Sequence, residues 1–241
     1  WDDDTFLTQN PLIRAPDGLK RFWATREAPD YFPLVSSMLW VEWRIWGQSP
    51  AGYHLVNVLL HAAACILLWR IMLKLGLPGA LAAALIFAVH PVNVESVAWI
   101  TQRKNTLPLV MLGLSLLAWL HYEETRSPLF YIEAIAAFAL AMLGKTSVAM
   151  FPLCLLILAW WRNGKVAWAD VLRTAPMFAI SAALGIVGVL FQRENIGAEI
   201  VRAGGPAQRI AEAGWAVWFY LLKALAPMGL SFIYPSPSLD P

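Results

Sequence analysis

Two polar stretches in an otherwise apolar chain carry the groups that could do chemistry. The first is Trp1-Asp2-Asp3-Asp4. The second is His90-Pro91-Val92-Asn93-Val94-Glu95, followed shortly by Arg103-Lys104. An ionised carboxylate in a low-dielectric medium costs several kcal/mol unless it is paired or wetted. Consecutive aspartates beside long apolar segments therefore belong at a loop or the mouth of a cavity. Adjacent acids suit general-base catalysis, because one can take a hydroxyl proton while its neighbour orients or tunes it. The same run also reads as a solvated linker, or as a helix cap at Asp4-Thr5. In the second stretch Pro91 ends the preceding helix, which leaves His90 and Glu95 facing the aqueous rim that holds the Asp run. Glu95 could hold a cation or position a sugar hydroxyl there, and Arg103 and Lys104 could bind a phosphate. The plainer reading is a turn whose charges are solvated.

Three further positions enter the reading. His54, Asn57 and His61 are spaced i, i+3, i+7 and share one helix face. Polar groups inside a span turn towards helix partners or a cavity, and hydrogen bonding between helices fits this face better than metal ligation. His54 is nearest the interface and is the one placed to meet substrate. Lys145, in Gly144-Lys145-Thr146, invites a nucleotide-loop reading, but the pattern G-x-x-x-x-G-K-[ST] requires glycine where Ala139 stands, and the flanks are two apolar helices. A lysine between two spans, on the side of the Asp run, suits a lipid phosphate instead.

The elements that must position these residues are membrane helices. The 241 residues are 59% hydrophobic, have mean hydropathy +0.57 and are only 14% charged, against roughly a quarter charged in soluble domains. A net charge of +2, with no compact basic run, excludes a nucleic-acid partner. Cys65 and Cys154 lie in apolar stretches without metal or redox spacing. The acidic start lacks the basic and apolar regions of a signal peptide, and an upstream helix is expected ahead of Trp1.

Residues 1–50 mix acids, prolines and Trp23, Trp40, Trp43 and Trp46, as interfacial helices do. An amphipathic helix is expected over Tyr31–Trp46. Spans are expected over Gly52–Lys74, Ala80–Val89, Thr106–Tyr122, Leu129–Leu143, Thr146–Trp161 and Pro176–Phe191, with a seventh over Ile210–Ile233. Breaks fall at Pro78-Gly79, at 123–128, at Gly144-Lys145 and at Gly164. Val166–Thr174 reads as an interfacial connector and Gln192–Gln208 as a polar loop. The fold class is thus an all-α polytopic bundle, with 1–50 as its first outer loop and 51–241 as six to seven spans.

Charge bias and chemistry disagree about orientation. With the Asp2 end outside, six Lys and Arg lie on the cytoplasmic side and eleven on the other. The positive-inside bias alone would reverse this. A site that binds a lipid phosphate, however, gathers basic residues on the side where it works.

Taken together, Trp1-Asp2-Asp3, Tyr31-x-Pro33-Leu34, Gly52-Tyr53-His54-Leu55-Val56-Asn57-Val58-Leu59-Leu60-His61, His90-Pro91-x-x-x-Glu95-x-Val97-Ala98-Trp99-Ile100, Arg103 and Gly144-Lys145 resemble one family. They look like the membrane part of the transmembrane and tetratricopeptide-repeat O-mannosyltransferases and their bacterial relatives, in the GT-C glycosyltransferase superfamily. The resemblance extends to about residue 165 and thins beyond it. It implies a membrane glycosyltransferase that moves a mannose-like sugar from a polyprenyl- or dolichyl-phosphate donor to a hydroxyl of a protein or glycan acceptor. It further implies a bacterial inner-membrane location with the active site facing outward, and a repeat domain beyond the bundle. Asp2 takes the place of the catalytic base and Asp3 that of the second motif acid. Arg103, Lys104 and Lys145 are expected to hold the donor phosphate. Glu95, His90 and His54 match family positions as substrate or metal-site candidates, and a divalent cation such as Mg or Mn is a possible cofactor. Where family members often place an acid after the basic pair, this chain has Asn105. The competing class is a non-catalytic scaffold or lipid-binding subunit, or a transporter, which would show paired broken helices in two halves.

Overall fold

The computed structural model describes residues 2–195, 205–231 and 234. The chain is an all-α polytopic helix bundle. After one wide turn at Asp4–Thr8 come α1 (Pro11–Arg14), α2 (Gly18–Ala24) and α3 (Pro33–Trp46). Then follow α4 (Pro50–Lys74), α5 (Ala80–Val89), α6 (Val94–Ala98), α7 (Arg103–Thr125), α8 (Pro128–Gly144), α9 (Phe151–Asn163), α10 (Trp168–Asn195) and α11 (Pro206–Leu225).

Local sequence sets most of these ends. Proline occupies the first turn of α1, α3, α4 and α8, where its missing N–H costs nothing and its φ is already helical. The Asn10 side chain caps α1 by accepting from Leu12 N at 2.9 Å. Gly164 ends α9 in the left-handed region at φ 72°.

Among the described residues four helical segments are long and apolar enough to cross a membrane: Pro50–Lys74, Ile100–Thr125, Thr146–Asn163 and Trp168–Gln192. Ala80–Val89 and Pro91–Ala98 make a fifth if their 51° bend is one broken span. Among the other expected spans, α8 is apolar but has 17 residues, short of the roughly 20 a bilayer core asks for. α11 ends at Leu225, ahead of Pro227, and carries Glu212 and Lys223 within its 20 residues.

Two expectations change at α10. The supposed connector Val166–Thr174 and the span after it are one helix that runs through Pro176. The Asp170 carboxylate accepts from Ala167 N at 3.0 Å and starts the helix. One turn on, the Thr174 hydroxyl donates back to the Asp170 and Val171 carbonyls at 3.0 and 3.1 Å, and the helix continues through Pro176. At its far end α10 takes in 192–195; residues 196–204 of the expected polar loop lie outside the described residues.

α7 is the hub, packed along α8 on one side and α4 on the other. One apolar cluster joins the first fifty residues to the bundle through Leu7, Leu12, Ile13, Phe22, Leu39, Tyr53 and Leu107. α3 faces that core with Val35, Ser36, Leu39 and Glu42, the i, i+1, i+4, i+7 stripe of an amphipathic helix. A second cluster, shared by α7, α8, α9 and α10, holds Trp119, Phe138, Met142, Phe151, Leu155 and Met177. Leu55, Val58, Leu59, Ile66, Leu81, Leu85 and Ile86 face outward, as a lipid-facing surface requires.

Candidate functional site

The acidic run is tied to the start of α7 at two points. Asp3 Oδ1 accepts from the backbone N–H of Thr101 at 2.9 Å. Asp2 Oδ2 pairs with Lys104 Nζ, also at 2.9 Å. The Asp2 side chain keeps 34% of its exposure and that of Lys104 16%, so the pair sits at an edge rather than in the core. Lys104 Nζ also lies 5.1 Å from the Phe6 ring. Asp4, by contrast, is exposed and accepts from its neighbour Thr8 at 2.6 Å. The first two acids therefore meet the basic segment and the third turns away.

Lys145 reaches the same rim from α8. Its Nζ donates to Asn105 Oδ1 at 2.6 Å. The Asn105 amide donates to Gln102 Oε1 at 2.8 Å, and Gln102 Nε2 donates to Glu95 Oε1 at 2.9 Å. A continuous chain of side-chain hydrogen bonds thus runs from Lys145 to Glu95. Backbone packing sets its near end. A Cβ on Gly144 would lie 2.8 Å from Pro108 Cγ, so only glycine lets α8 come this close to α7 and place Lys145 beside Asn105. Lys145 then leaves the helix in an extended conformation at φ −165°.

Charge at the rim is balanced by groups from four parts of the chain. Burial, reinforced by the positive charge of Lys104, pushes the Lys145 ammonium below its ordinary range, while Asp30 and Glu95 oppose the shift. Asp30 is pushed up by burial and by Asp2, against Lys104 and Lys145. Asp30 is therefore a further carboxylate of this site. Nothing in its local sequence, Pro29-Asp30-Tyr31, separates it from the other acids of the first fifty residues.

Arg103 does not join them. It is fully buried, and its guanidinium is used up inside the bundle. Nε donates to Asn57 Oδ1 at 2.9 Å, Nη2 to the Tyr53 carbonyl at 3.1 Å, and Nη1 pairs with Glu42. Asn57 in turn donates to the carbonyls of Trp99 and Ile100 at 3.1 and 3.3 Å. The expectation that Arg103 holds a phosphate beside Lys104 meets this geometry badly, because successive residues at a helix start point about 100° apart and only Lys104 points outward. Arg103 instead pins α3 and α4 to the start of α7, and Glu42, which the sequence reading passed over, is its counter-ion.

The histidines lie elsewhere. His54, His61 and His90 line a cavity of about 380 Å³ between α4 and the 88–98 segment, to which Asp2, Lys104 and Lys145 contribute nothing. His90 Nδ1 accepts from Val92 N at 3.3 Å and so caps the turn at Pro91. His61 Nε2 meets the Ala88 carbonyl at 3.0 Å. Asn57 and His61 are thus hydrogen-bonded between elements, as their shared face suggested. Glu95 lines a separate cavity of about 470 Å³ with Tyr220, Lys223 and Tyr234. Among the described residues no three His, Cys, Asp or Glu side chains converge as a metal site would need. The residues present do not fit a resident divalent ion, and the rim's cations are lysines.

A hydroxyl-bearing group arriving at Asp2 would meet a carboxylate paired with Lys104, and an anionic group there would find two lysines, Lys104 and Lys145. That pairing of base and anion clamp suits displacement of a phosphate by a hydroxyl.

A family model described as dolichyl-phosphate-mannose-protein mannosyltransferase matches residues 28–190. The chain is 30% identical over 184 residues to the Mus musculus protein O-mannosyl-transferase TMTC1, covering 64% of this chain and 19% of that protein. It is 37% identical over 112 residues to the Mus musculus protein O-mannosyl-transferase TMTC2, covering 44% and 13%. To the Drosophila melanogaster protein O-mannosyl-transferase Tmtc1 it is 31% identical over 151 residues, covering 55% and 16%. The chain spans less than a fifth of the length of these relatives. No solved structure matches it.

Proposed function

The chain belongs to the dolichyl-phosphate-mannose-protein mannosyltransferase family, whose model covers well over half of it, and from that premise we propose that it forms the membrane part of an O-mannosyltransferase. The donor is a mannose carried on a polyprenyl or dolichyl phosphate, and the acceptor is a hydroxyl of a protein or glycan. The observation that carries this reading is the Asp2–Lys104 pair at 2.9 Å, with Lys145 on the same rim. A carboxylate beside two lysines at one rim is the set of groups that removal of a hydroxyl proton and departure of a lipid phosphate call for.

In the proposed step Asp2 takes the proton of the acceptor hydroxyl. The freed oxygen attacks the anomeric carbon, and the bond from that carbon to the phosphate oxygen breaks. The electron pair leaves with the lipid phosphate. Lys104 and Lys145 offset the charge that grows on it, and preorganised charges of this kind are usually a large part of catalysis. Arrival of the phosphate draws Lys104 away from Asp2, which frees the carboxylate to act as base. Asp3 fixes the run by its bond to Thr101 N. Arg103 contributes by position, since it holds the segment that presents Lys104.

On this reading the rim faces the extracytoplasmic side of the membrane, which in a bacterium is the outer face of the inner membrane. The excess of basic residues on that side then reflects the donor's phosphate rather than topology. A scaffold or a transporter is favoured less, because neither needs acids and lysines from four parts of the chain to meet at one rim.

The test is transfer by the purified full-length protein in lipid vesicles, supplied with an acceptor peptide and either polyprenyl-phosphate mannose or GDP-mannose. Mannosylated peptide from the lipid donor alone is expected. Transfer from GDP-mannose, or from neither, would refute the reading.

A further inference from the structure

Glu95 faces two ways. One carboxylate oxygen closes the amide chain that leads through Gln102 and Asn105 to Lys145. The side chain also lines the cavity of about 470 Å³, whose other walls include Pro91, Val94, Tyr220, Lys223 and Tyr234. That volume lies within the roughly 300–1,000 Å³ of small-molecule pockets, which are mostly apolar walls with a few placed polar groups.

Each wall has a definite chemistry. The Tyr220 and Tyr234 rings are 6.4 Å apart and nearly perpendicular at 81°, so they present two aromatic surfaces at a corner. Tyr234 is held by Phe219, edge-on at 4.9 Å, and its hydroxyl accepts from Ser231 N at 2.9 Å. Lys223 spends its ammonium on the Met228 and Gly229 carbonyls at 2.6 and 3.2 Å. It fixes the turn after α11 and leaves Glu95 as the carboxylate available to a ligand.

Glu95 and Lys223 line the cavity together and offset each other's charge, so its walls suit an occupant that is neutral, rich in hydroxyls and able to lie against an aromatic face. A bare prenyl chain would cover the second Glu95 oxygen and offer it no hydrogen bond. A pyranose satisfies every wall, since its hydroxyls donate charge-assisted hydrogen bonds and its C–H face packs on a ring.

We propose that this cavity is the subsite for the hexosyl group of the lipid-phosphate donor, in which Glu95 accepts from the sugar's hydroxyls and Tyr220 packs against its C–H face. Gln102 and Asn105 are positioning residues that keep Glu95 in register with Lys145 at the phosphate. The inference rests on the glycosyl-transfer reading above and adds to it the basis of sugar choice.

The test compares the full-length protein with its Glu95→Gln, Tyr220→Ala and Tyr220→Phe variants. Initial rates are measured with polyprenyl-phosphate mannose and polyprenyl-phosphate glucose at varied donor and acceptor. For Glu95→Gln and Tyr220→Ala, KM for polyprenyl-phosphate mannose is expected to rise by about tenfold and the mannose-over-glucose preference to shrink by a similar factor, as loss of hydrogen bonds to a charged group predicts. Acceptor KM is expected to stay within about twofold, and Tyr220→Phe to keep the donor KM because it keeps the ring. Unchanged donor KM and sugar preference in both variants would overturn the proposal, and so would a rise confined to acceptor KM. Wild-type protein that transfers from neither lipid would instead overturn the glycosyl-transfer reading itself.

Discussion

Lys145 Nζ and Asn105 Oδ1 are 2.6 Å apart, so a neutral amide stands against a half-buried lysine. The consequence is an ammonium whose charge is not cancelled by its nearest partner. Asn105→Asp would put a carboxylate at that distance, raise the Lys145 pKa and neutralise its field. A rise in donor KM of about tenfold is expected, read from initial rates with polyprenyl-phosphate mannose. The pH profile supplies an independent check with a definite sign. Lys145 is charged below its pKa, and burial beside Lys104 holds that pKa under the ordinary lysine value, so donor affinity falls on the alkaline side earlier than a free lysine would allow. In Asn105→Asp that alkaline fall moves to higher pH.

Arg103 and Glu42 form a pair that is 0% and 5% exposed on its two side chains. Removing one partner strands a buried charge, which typically costs about 3–5 kcal/mol. Glu42→Leu is expected to lower the unfolding temperature in detergent sharply, and Glu42→Leu with Arg103→Met is expected to recover much of the loss. Were Arg103 a phosphate ligand, the double variant would regain stability but lose donor affinity. The account expects donor KM to change by less than about threefold once folding is restored.

Gly144 sets the approach of α8 to α7 at Pro108. Any larger residue must push the two helices apart, and overpacking of this kind costs about 1–3 kcal/mol. Gly144→Val is expected to lower kcat with polyprenyl-phosphate mannose, because Lys145 is the next residue. Gly185→Ala meets open space and serves as the control, with activity near that of the unmodified protein.

The parts of the fold that depend on neighbours in sequence were legible beforehand. α4 ends at Lys74 as expected, though it starts at Pro50 rather than Gly52; α5 runs between Gly79 and His90-Pro91 as they dictate, and the break at Gly144-Lys145 is where it was expected. Pro176 misled, since proline usually stops a helix, yet α10 runs from Trp168 to Asn195 with the proline inside it. At the site, Asp2, Asp3, Lys104, Lys145 and Glu95 were all singled out; Asp2 pairs with Lys104, Asp3 holds Thr101 N, and Lys145 reaches Glu95 through the amide chain. Arg103 looked equivalent to Lys104, but its partner Glu42 lies 61 positions away. No local pattern reports such a pair, and distance in sequence from Lys104 and Lys145 hid Asp30 in the same way. The amides Gln102 and Asn105 were equally silent, because their role exists only once α6, α7 and α8 meet.

The account stands or falls on Asp2 as the base. The decisive measurement is kcat for mannose transfer from polyprenyl-phosphate mannose by full-length protein carrying Asp2→Asn, alongside its affinity for the same donor. Loss of a general base predicts a fall in kcat of about a hundredfold to ten-thousandfold with donor affinity retained. Transfer by Asp2→Asn at the rate of the unmodified protein would contradict it.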